Sequence, residues 1–296
     1  MQPLVTVGIP TYNRPEGLRK TLLCITQQTY SNLQIIVADN CSENENVKIV
    51  VDEFVKKDPR VFYYRHDENM GVNFNFQFVL NKAEGLYFMW AADDDERSLL
   101  FVEELMAVIN DRSAAFCNFT IRYEGANKVD HITIGNSAKG KNKYEQARNF
   151  LQERIPSLFY ALYRTKDIRW FSNMHKIFDW LDCFIILKII LKYNGFAFSD
   201  KELYSAGIQG ANYQYKPAKA HSKRIFTYKP YFINSAKLIF QSKLTIIQRM
   251  KLVAYLAEVT SSSFIAIEKN RKSYKVYSFL YRIYNRIRPS IYLRKI

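Results

Sequence analysis

The stretch LVTVGIPTYNRPEGLRKTLLCITQQTYSNLQIIVADN, residues 4–40, decides the fold. Val5–Ile9 is an unbroken apolar run closed by Pro10, and Gln34–Ala38 is a second run of the same kind. Short apolar runs of this type read as strands buried on both faces. Between them Leu18, Leu22 and Ile25 recur at helical spacing, beginning at Pro15, whose fixed φ and missing N–H suit the first turn of a helix. Strand, crossover helix and strand at this pace predict a βαβ unit and a parallel sheet.

The alternation continues outward. Val47–Lys57 is expected to be helical, with Val47, Val50, Val51 and Phe54 on one stripe. Val61–Tyr64 reads as a strand, Asn73–Lys82 as a helix, Leu86–Ala92 as a strand, Ser98–Asn110 as a helix and Ala114–Ile121 as a strand. The predicted class is α/β: a Rossmann-like, mostly parallel sheet with helices on both faces and a helical C-terminal extension. Beyond it, 125–143 reads as an exposed excursion and 207–223 as a polar loop. Tyr144–Gln152, Phe178–Tyr193, Ser235–Gln248, Leu252–Lys269 and Tyr274–Ile287 read as helices. The expected division is 1–224 for the sheet-bearing domain and 225–296 for a basic helical segment.

Composition sets bounds. With 48% hydrophobic and 24% charged residues in 296, the chain is globular rather than disordered. Its net charge of +15 is concentrated: residues 225–296 hold fourteen Lys and Arg against Glu258 and Glu268, which is +12 of the total. Such a segment calls for an anionic partner. The four cysteines show no CxxC spacing, so neither a disulfide framework nor a zinc site is expected. The opening residues lack a basic lead and apolar run, so no signal peptide is expected, and no apolar stretch reaches the ~18 residues of a membrane span.

In parallel sheets ligands bind where the strands end in loops. Three polar clusters fall there: Thr11-Tyr12-Asn13-Arg14 after the first strand, Asp39-Asn40 after the second, and Asp93-Asp94-Asp95 after the fourth. Three adjacent carboxylates repel one another unless cations or hydrogen-bond donors compensate them. Mn2+ or Mg2+ bound to diphosphate oxygens suits such a site, because a hard cation takes one or two carboxylates and fills its shell with phosphate and water. The plainer reading is a set of N-terminal acids before the Ser98 helix.

These segments, in this order, together with the Asn69-Met70-Gly71 turn and EGLYFMWAADDDE at residues 84–96, resemble glycosyltransferase family 2, whose fold is GT-A. The resemblance is dense over about 4–120 and weaker to about 205. It implies an inverting transfer from a nucleotide-sugar donor. Pro10, Thr11, Tyr12, Arg14, Asn69 and Gly71 fall in donor-binding segments. Asp39 matches the carboxylate that contacts the base, usually uracil or thymine, and Asp93 and Asp94 match the region binding ribose and metal–diphosphate. Many members have an earlier acid in that motif, at the position of Ala91 here, so metal duty is expected of Asp93, Asp94 or Asp95. The general base is expected in Phe178-Asp179-Trp180-Leu181-Asp182, with Asp182 favoured by its spacing to Lys201-Glu202-Leu203 and Asp179 in reserve. His221 falls in a loop that closes on the diphosphate in some members, though a lone loop histidine is more often simply exposed.

The resemblance also implies an acceptor that is a glycan or a polyprenyl-diphosphate-linked sugar, as in bacterial O-antigen or capsule synthesis. Residues 274–296 interleave bases with aromatic and aliphatic side chains, which suits an amphipathic helix on the anionic inner face of the cytoplasmic membrane better than a helix packed on the core with a solvated face or a nucleic-acid patch. Two other classes compete: a membrane-docked scaffold without catalysis, and a nucleotidyltransferase. An early glycine-rich phosphate loop would mark the latter, and none is present.

Overall fold

The structure is a computed structural model, and it describes residues 2–123, 128–134, 139–153, 155–175, 177–208 and 229–265. In chain order the elements are β1 (Val5–Thr11), α1 (Pro15–Thr26), β2 (Leu33–Asp39), α2 (Asn46–Lys57), β3 (Val61–Arg65), α3 (Val72–Asn81), β4 (Tyr87–Trp90), β5 (Glu96–Arg97) and α4 (Phe101–Ile109). They continue with β6 (Ala114–Tyr123), β7 (Lys128–Ile132), α5 (Lys143–Glu153), β8 (Leu162–Arg164), α6 (Thr165–Ile168), α7 (Leu181–Lys192), β9 (Phe196–Ile208), α8 (Lys229–Phe240) and α9 (Ile246–Ile265).

The sheet order is β3-β2-β1-β4-β8-β6-β9-β5, with β7 paired to β6. The first four strands are parallel, as expected from the βαβ pattern. β8 runs antiparallel to both β4 and β6, while β6 and β9 are parallel. Every residue of β1, β2 and β4 is buried, which is why these strands read as solid apolar runs. After β3 the chain crosses back, so that β1 lies between β2 and β4, and the order reverses between β1 and β4. Such a reversal opens a crevice at the carboxyl ends of the strands.

Several local expectations change. Gly207 and Ile208, expected to open a polar loop, instead end the thirteen-residue strand β9. The expected excursion from 125 contains β7, zipped to β6 from Phe119↔Ile132 to Tyr123↔Lys128. The helix expected from Phe178 begins at Leu181, so Asp179 lies ahead of it, and Trp180 takes a left-handed φ of 64°. The helix expected over Ser235–Gln248 is broken, because Thr245 and Gln248 cap each other: Gln248 N donates to Thr245 Oγ1 (3.3 Å), and Thr245 N donates to Gln248 Oε1 (3.0 Å). A threonine with glutamine three residues on starts a new helix.

One apolar core runs from β1 to α9 and includes Tyr231, Leu238, Ile239, Leu252 and Leu256. The expected boundary at 224/225, His221 and the 274–296 helix lie outside the described residues. Among the described residues no helix is long and apolar enough to cross a membrane.

Candidate active site

The crevice between β1 and β4 is closed by side chains from both. Thr11, the last residue of β1, donates from Oγ1 to Asp93 Oδ2 at 2.8 Å. Arg14, on the turn into α1, places one guanidinium nitrogen 2.8 Å from Asp93 Oδ1 and 2.9 Å from Asp94 Oδ2. The two carboxylates hold Arg14 firmly cationic against its partial burial. Burial pushes the Asp93 carboxyl up, and Arg14 and Thr11 oppose that.

Asp95 points elsewhere. Tyr204 of β9 donates its hydroxyl to Asp95 Oδ2 at 2.5 Å, and Gly207 N donates to Oδ1 at 3.2 Å. The fully buried Arg97 guanidinium stands 3.8 Å away, between the rings of Phe101 and Tyr204. Burial raises the Asp95 carboxyl to about 6 even so. The triplet is therefore split: Asp93 faces α1, Asp95 fastens β9, and Asp94 retains an oxygen that no described residue engages.

Two glycines make this arrangement possible. A Cβ on Gly17 of α1 would lie 2.0 Å from the Asp93 carbonyl oxygen, and one on Gly207 would lie 2.3 Å from that of Asp94. Helix and strand thus press on the triplet's backbone from two sides. Gly17→Ala is expected to cost about 1–3 kcal/mol in urea unfolding, because backbone must move to admit the methyl group. It is also expected to weaken nucleotide binding by displacing Asp93, and unchanged unfolding and binding would remove this constraint.

A cavity of about 450 Å³ opens beside the triplet and is lined by Asp94 and Asp95, by Asp179, Trp180 and Asp182, and by Tyr160. One wall of it is thus the segment in which the general base was expected. Asp182 sits in the first turn of α7, where burial raises its carboxyl and the backbone N–H of Cys183 partly offsets this. Tyr160 is held un-ionised, first by burial and then by the carboxylates of Asp95, Asp94 and Asp182 around it.

The end of the crevice at which the base was expected is formed by β2 and the turn before α3. Asp39 is almost fully buried, accepting from Ser42 N (2.9 Å) and from Tyr63 Oη (3.0 Å). Asn40 binds Asn69 Oδ1 through Nδ2 and accepts from Met70 N, and Asn69 Oδ1 also accepts from Gly71 N. Gly71 has φ 88°, which permits the sharp entry into α3. Pro10 lies inside β1 opposite Ala38, and Tyr12 is half-buried at the strand's end.

A family model described as glycosyl transferase family 2 matches residues 6–170, which spans β1 to α6 and all of the β1–β4 rim. This chain belongs to glycosyl transferase family 2. Among similar family proteins, a Campylobacter jejuni GalNAc(5)-diNAcBac-PP-undecaprenol beta-1,3-glucosyltransferase is 30% identical over 166 residues, covering 55% of this chain and 52% of that protein. The match thus spans about half the length of that relative. An uncharacterized glycosyltransferase of Methanocaldococcus jannaschii is 24% identical over 291 residues, 89% of this chain and 91% of that protein. The crystal structure of Staphylococcus aureus TarS 1–349 superposes with a TM-score of 0.66 at 15% identity, covering 94% of this chain and 78% of that one. A Pyrobaculum calidifontis mannosyltransferase in complex with GDP-Man and Mn2+ superposes at 0.52, with 14% identity and 97% and 83% coverage. The fold is GT-A.

The donor set fits a metal only in a limited way. No group of three or more Asp, Glu, His or Cys among the described residues is arranged to hold an ion. Asp93 and Asp95, expected as ligands beside Asp94, have both oxygens engaged by protein donors. One free carboxylate oxygen on Asp94 fits an ion that takes most of its shell from diphosphate and water.

Sequence reading missed Tyr204, Gly207, Gly17, Arg97 and Tyr160. Tyr204 and Gly207 lie more than a hundred residues from their partner Asp95, and only the shape of β9 brings them together.

Proposed function

We propose that this family 2 member is an inverting glycosyltransferase that moves a sugar from a UDP or dTDP donor to a hydroxyl of a glycan or polyprenyl-diphosphate-linked acceptor. The setting is bacterial surface-polysaccharide synthesis of the O-antigen or capsule type, at the anionic inner face of the cytoplasmic membrane. One observation carries the reading: Asp94, from the diphosphate rim, and Asp182, from the start of α7, line the same cavity. The ligands of TarS crystal structures, UDP and UDP-GlcNAc, and the lipid-linked acceptor in the name of the Campylobacter relative support the substrate classes.

In this mechanism Asp182 takes the proton of the acceptor hydroxyl as its oxygen attacks the anomeric carbon. The bond from that carbon to the diphosphate oxygen breaks on the opposite face, and the nucleoside diphosphate departs with the electron pair. Arg14, fixed by Asp93 and Asp94, supplies permanent positive charge at the rim where that negative charge develops. Mn2+ or Mg2+, held through Asp94, would supply further charge to the leaving diphosphate when bound. Thr11 and Asp93 keep the rim in register, while Asp39 and the Asn40–Asn69–Gly71 lattice shape the base pocket. Asp179 lines the cavity beside the base and orients the acceptor.

Titration calorimetry with UDP, with and without Mn2+, tests the donor half of this reading. Heat of binding that strengthens with the metal is expected. No binding of UDP, dTDP or GDP under either condition would overturn it.

A further inference from the structure

The corner between α8 and α9 is a surface that the catalytic site does not use. From Lys229 to Ala257 the chain carries Lys229, Lys237, Lys243, Arg249 and Lys251 and no acid. The same segment exposes large apolar side chains: Phe240 at 48%, Ile246 at 60%, Ile247 at 64% and Met250 at 45%. They are not scattered. Ile246 and Met250 are i,i+4 neighbours, as are Ile247 and Lys251, so the first turns of α9 present one mixed face. The helix's core face is separate and is formed by Leu252 and Leu256.

Neighbouring elements add charge of the same sign. Lys143 of α5 has its ammonium pKa lowered first by burial and then by Lys243 and Arg112, which places three cations together at this end of the molecule. Lys192, at the end of α7, donates to the Gln241 carbonyl of the corner itself. Asp111, beside Arg112, and Glu145, in the same helix turn as Lys143, are acids on these neighbouring elements.

We propose that the α8–α9 corner docks on an anionic lipid bilayer, with Phe240, Ile246, Ile247 and Met250 entering the headgroup boundary and Lys243 and Lys251 contacting lipid phosphates. Apolar side chains flanked by cations, in a segment that carries no acid from 229 to 257, fit that boundary. A second copy of the chain fits poorly, because a self-complementary contact would set five cations against five others. Nucleic acid would satisfy the cations but leave the aliphatic side chains in water. The corner meets α7 at Lys192, its C-terminal residue, whereas Asp182 is at the other end, about 15 Å along the helix. Docking there holds the catalytic cavity off the lipid surface, which suits a hydroxyl carried on an extended lipid-linked glycan. This proposal deepens the membrane part of the proposed function and does not rest on transfer activity.

Co-sedimentation of the full chain with phosphatidylcholine vesicles, with and without phosphatidylglycerol, tests it. Binding is expected only when phosphatidylglycerol is present. Lys243→Gln with Lys251→Gln is expected to weaken it about 25-fold, and Ile246→Ser with Ile247→Ser about 10-fold or more. All four side chains are exposed, so UDP binding and circular dichroism should be unchanged and would report misfolding if it occurred. Three results would each overturn the proposal: no vesicle binding by the parent chain, equal binding to both vesicle types, or parent-like binding by either double variant. In the last case the dock lies elsewhere, such as in 266–296. Because vesicle binding is read without a sugar donor, its failure leaves the transferase reading standing, and loss of transfer leaves the docking result standing.

Discussion

Replacing Asp182 with asparagine is expected to lower transfer by about 10²–10⁴-fold while UDP affinity stays within twofold of the parent. That is the range contributed by general-base assistance to a neutral hydroxyl. Asparagine keeps the size of the side chain and its place in the first turn of α7, but cannot take a proton. The base pocket at Asp39 and Asn69 lies at the other end of the site and is untouched. The electrostatics add a pH signature. Burial raises the Asp182 carboxyl above its ordinary value. A base works only when ionised, so kcat/KM should fall as pH drops through that raised value, with an acid limb above the ~3.9 of a free aspartate. Asp182→Asn should abolish the limb along with the rate. Single-turnover transfer at parent-like rates in the variant would exclude Asp182 and direct attention to Asp179, which lines the same cavity.

What the sequence made legible follows from how locally each feature is encoded. β1, β2 and β4 are buried on both faces, so their apolar runs are uninterrupted and the βαβ order is plain. Asp93-Asp94-Asp95 is legible because three acids after a buried strand have no place in a core. Asp182, which lines the cavity, is marked in the sequence by the family resemblance and by its spacing to Lys201-Glu202-Leu203. The strand containing that marker was not, because Ser199-Asp200-Lys201-Glu202 interrupts its apolar pattern where the β6–β9 pairing slips register. β8 was missed for another reason. It is three residues long and carries no periodic signal, yet it joins the two halves of the sheet. The roles within the triplet were equally hidden. They depend on Arg14 from one side and on Tyr204 and Gly207 from the other, and no local rule links residue 95 to residues 204 and 207. The Thr245–Gln248 pair is a local signal as well, yet the apolar spacing runs one helix through it, and only the reciprocal cap shows the break between α8 and α9.

That hidden division of labour gives the second large effect. Asp94→Asn and Asp95→Ala, one residue apart, are expected to fail in different ways. Asp94 lines the cavity and is paired with Arg14 through Oδ2. Its change to asparagine should leave the unfolding midpoint close to that of the parent, abolish the strengthening of UDP binding by Mn2+, and lower kcat by about 10²–10³-fold, the cost of removing one electrostatic contact to a developing charge. Asp95→Ala leaves the Tyr204 hydroxyl and the Gly207 N–H without their acceptor and removes the carboxylate that stands 3.8 Å from the buried Arg97 guanidinium. Stranding a buried charge costs about 3–5 kcal/mol, so this variant should unfold at markedly lower urea. Measuring both properties on both variants separates the roles. Undiminished Mn2+-dependent UDP affinity in Asp94→Asn would detach the metal from Asp94, while loss of that dependence in a fully stable Asp95→Ala protein would reassign it to the neighbouring carboxylate.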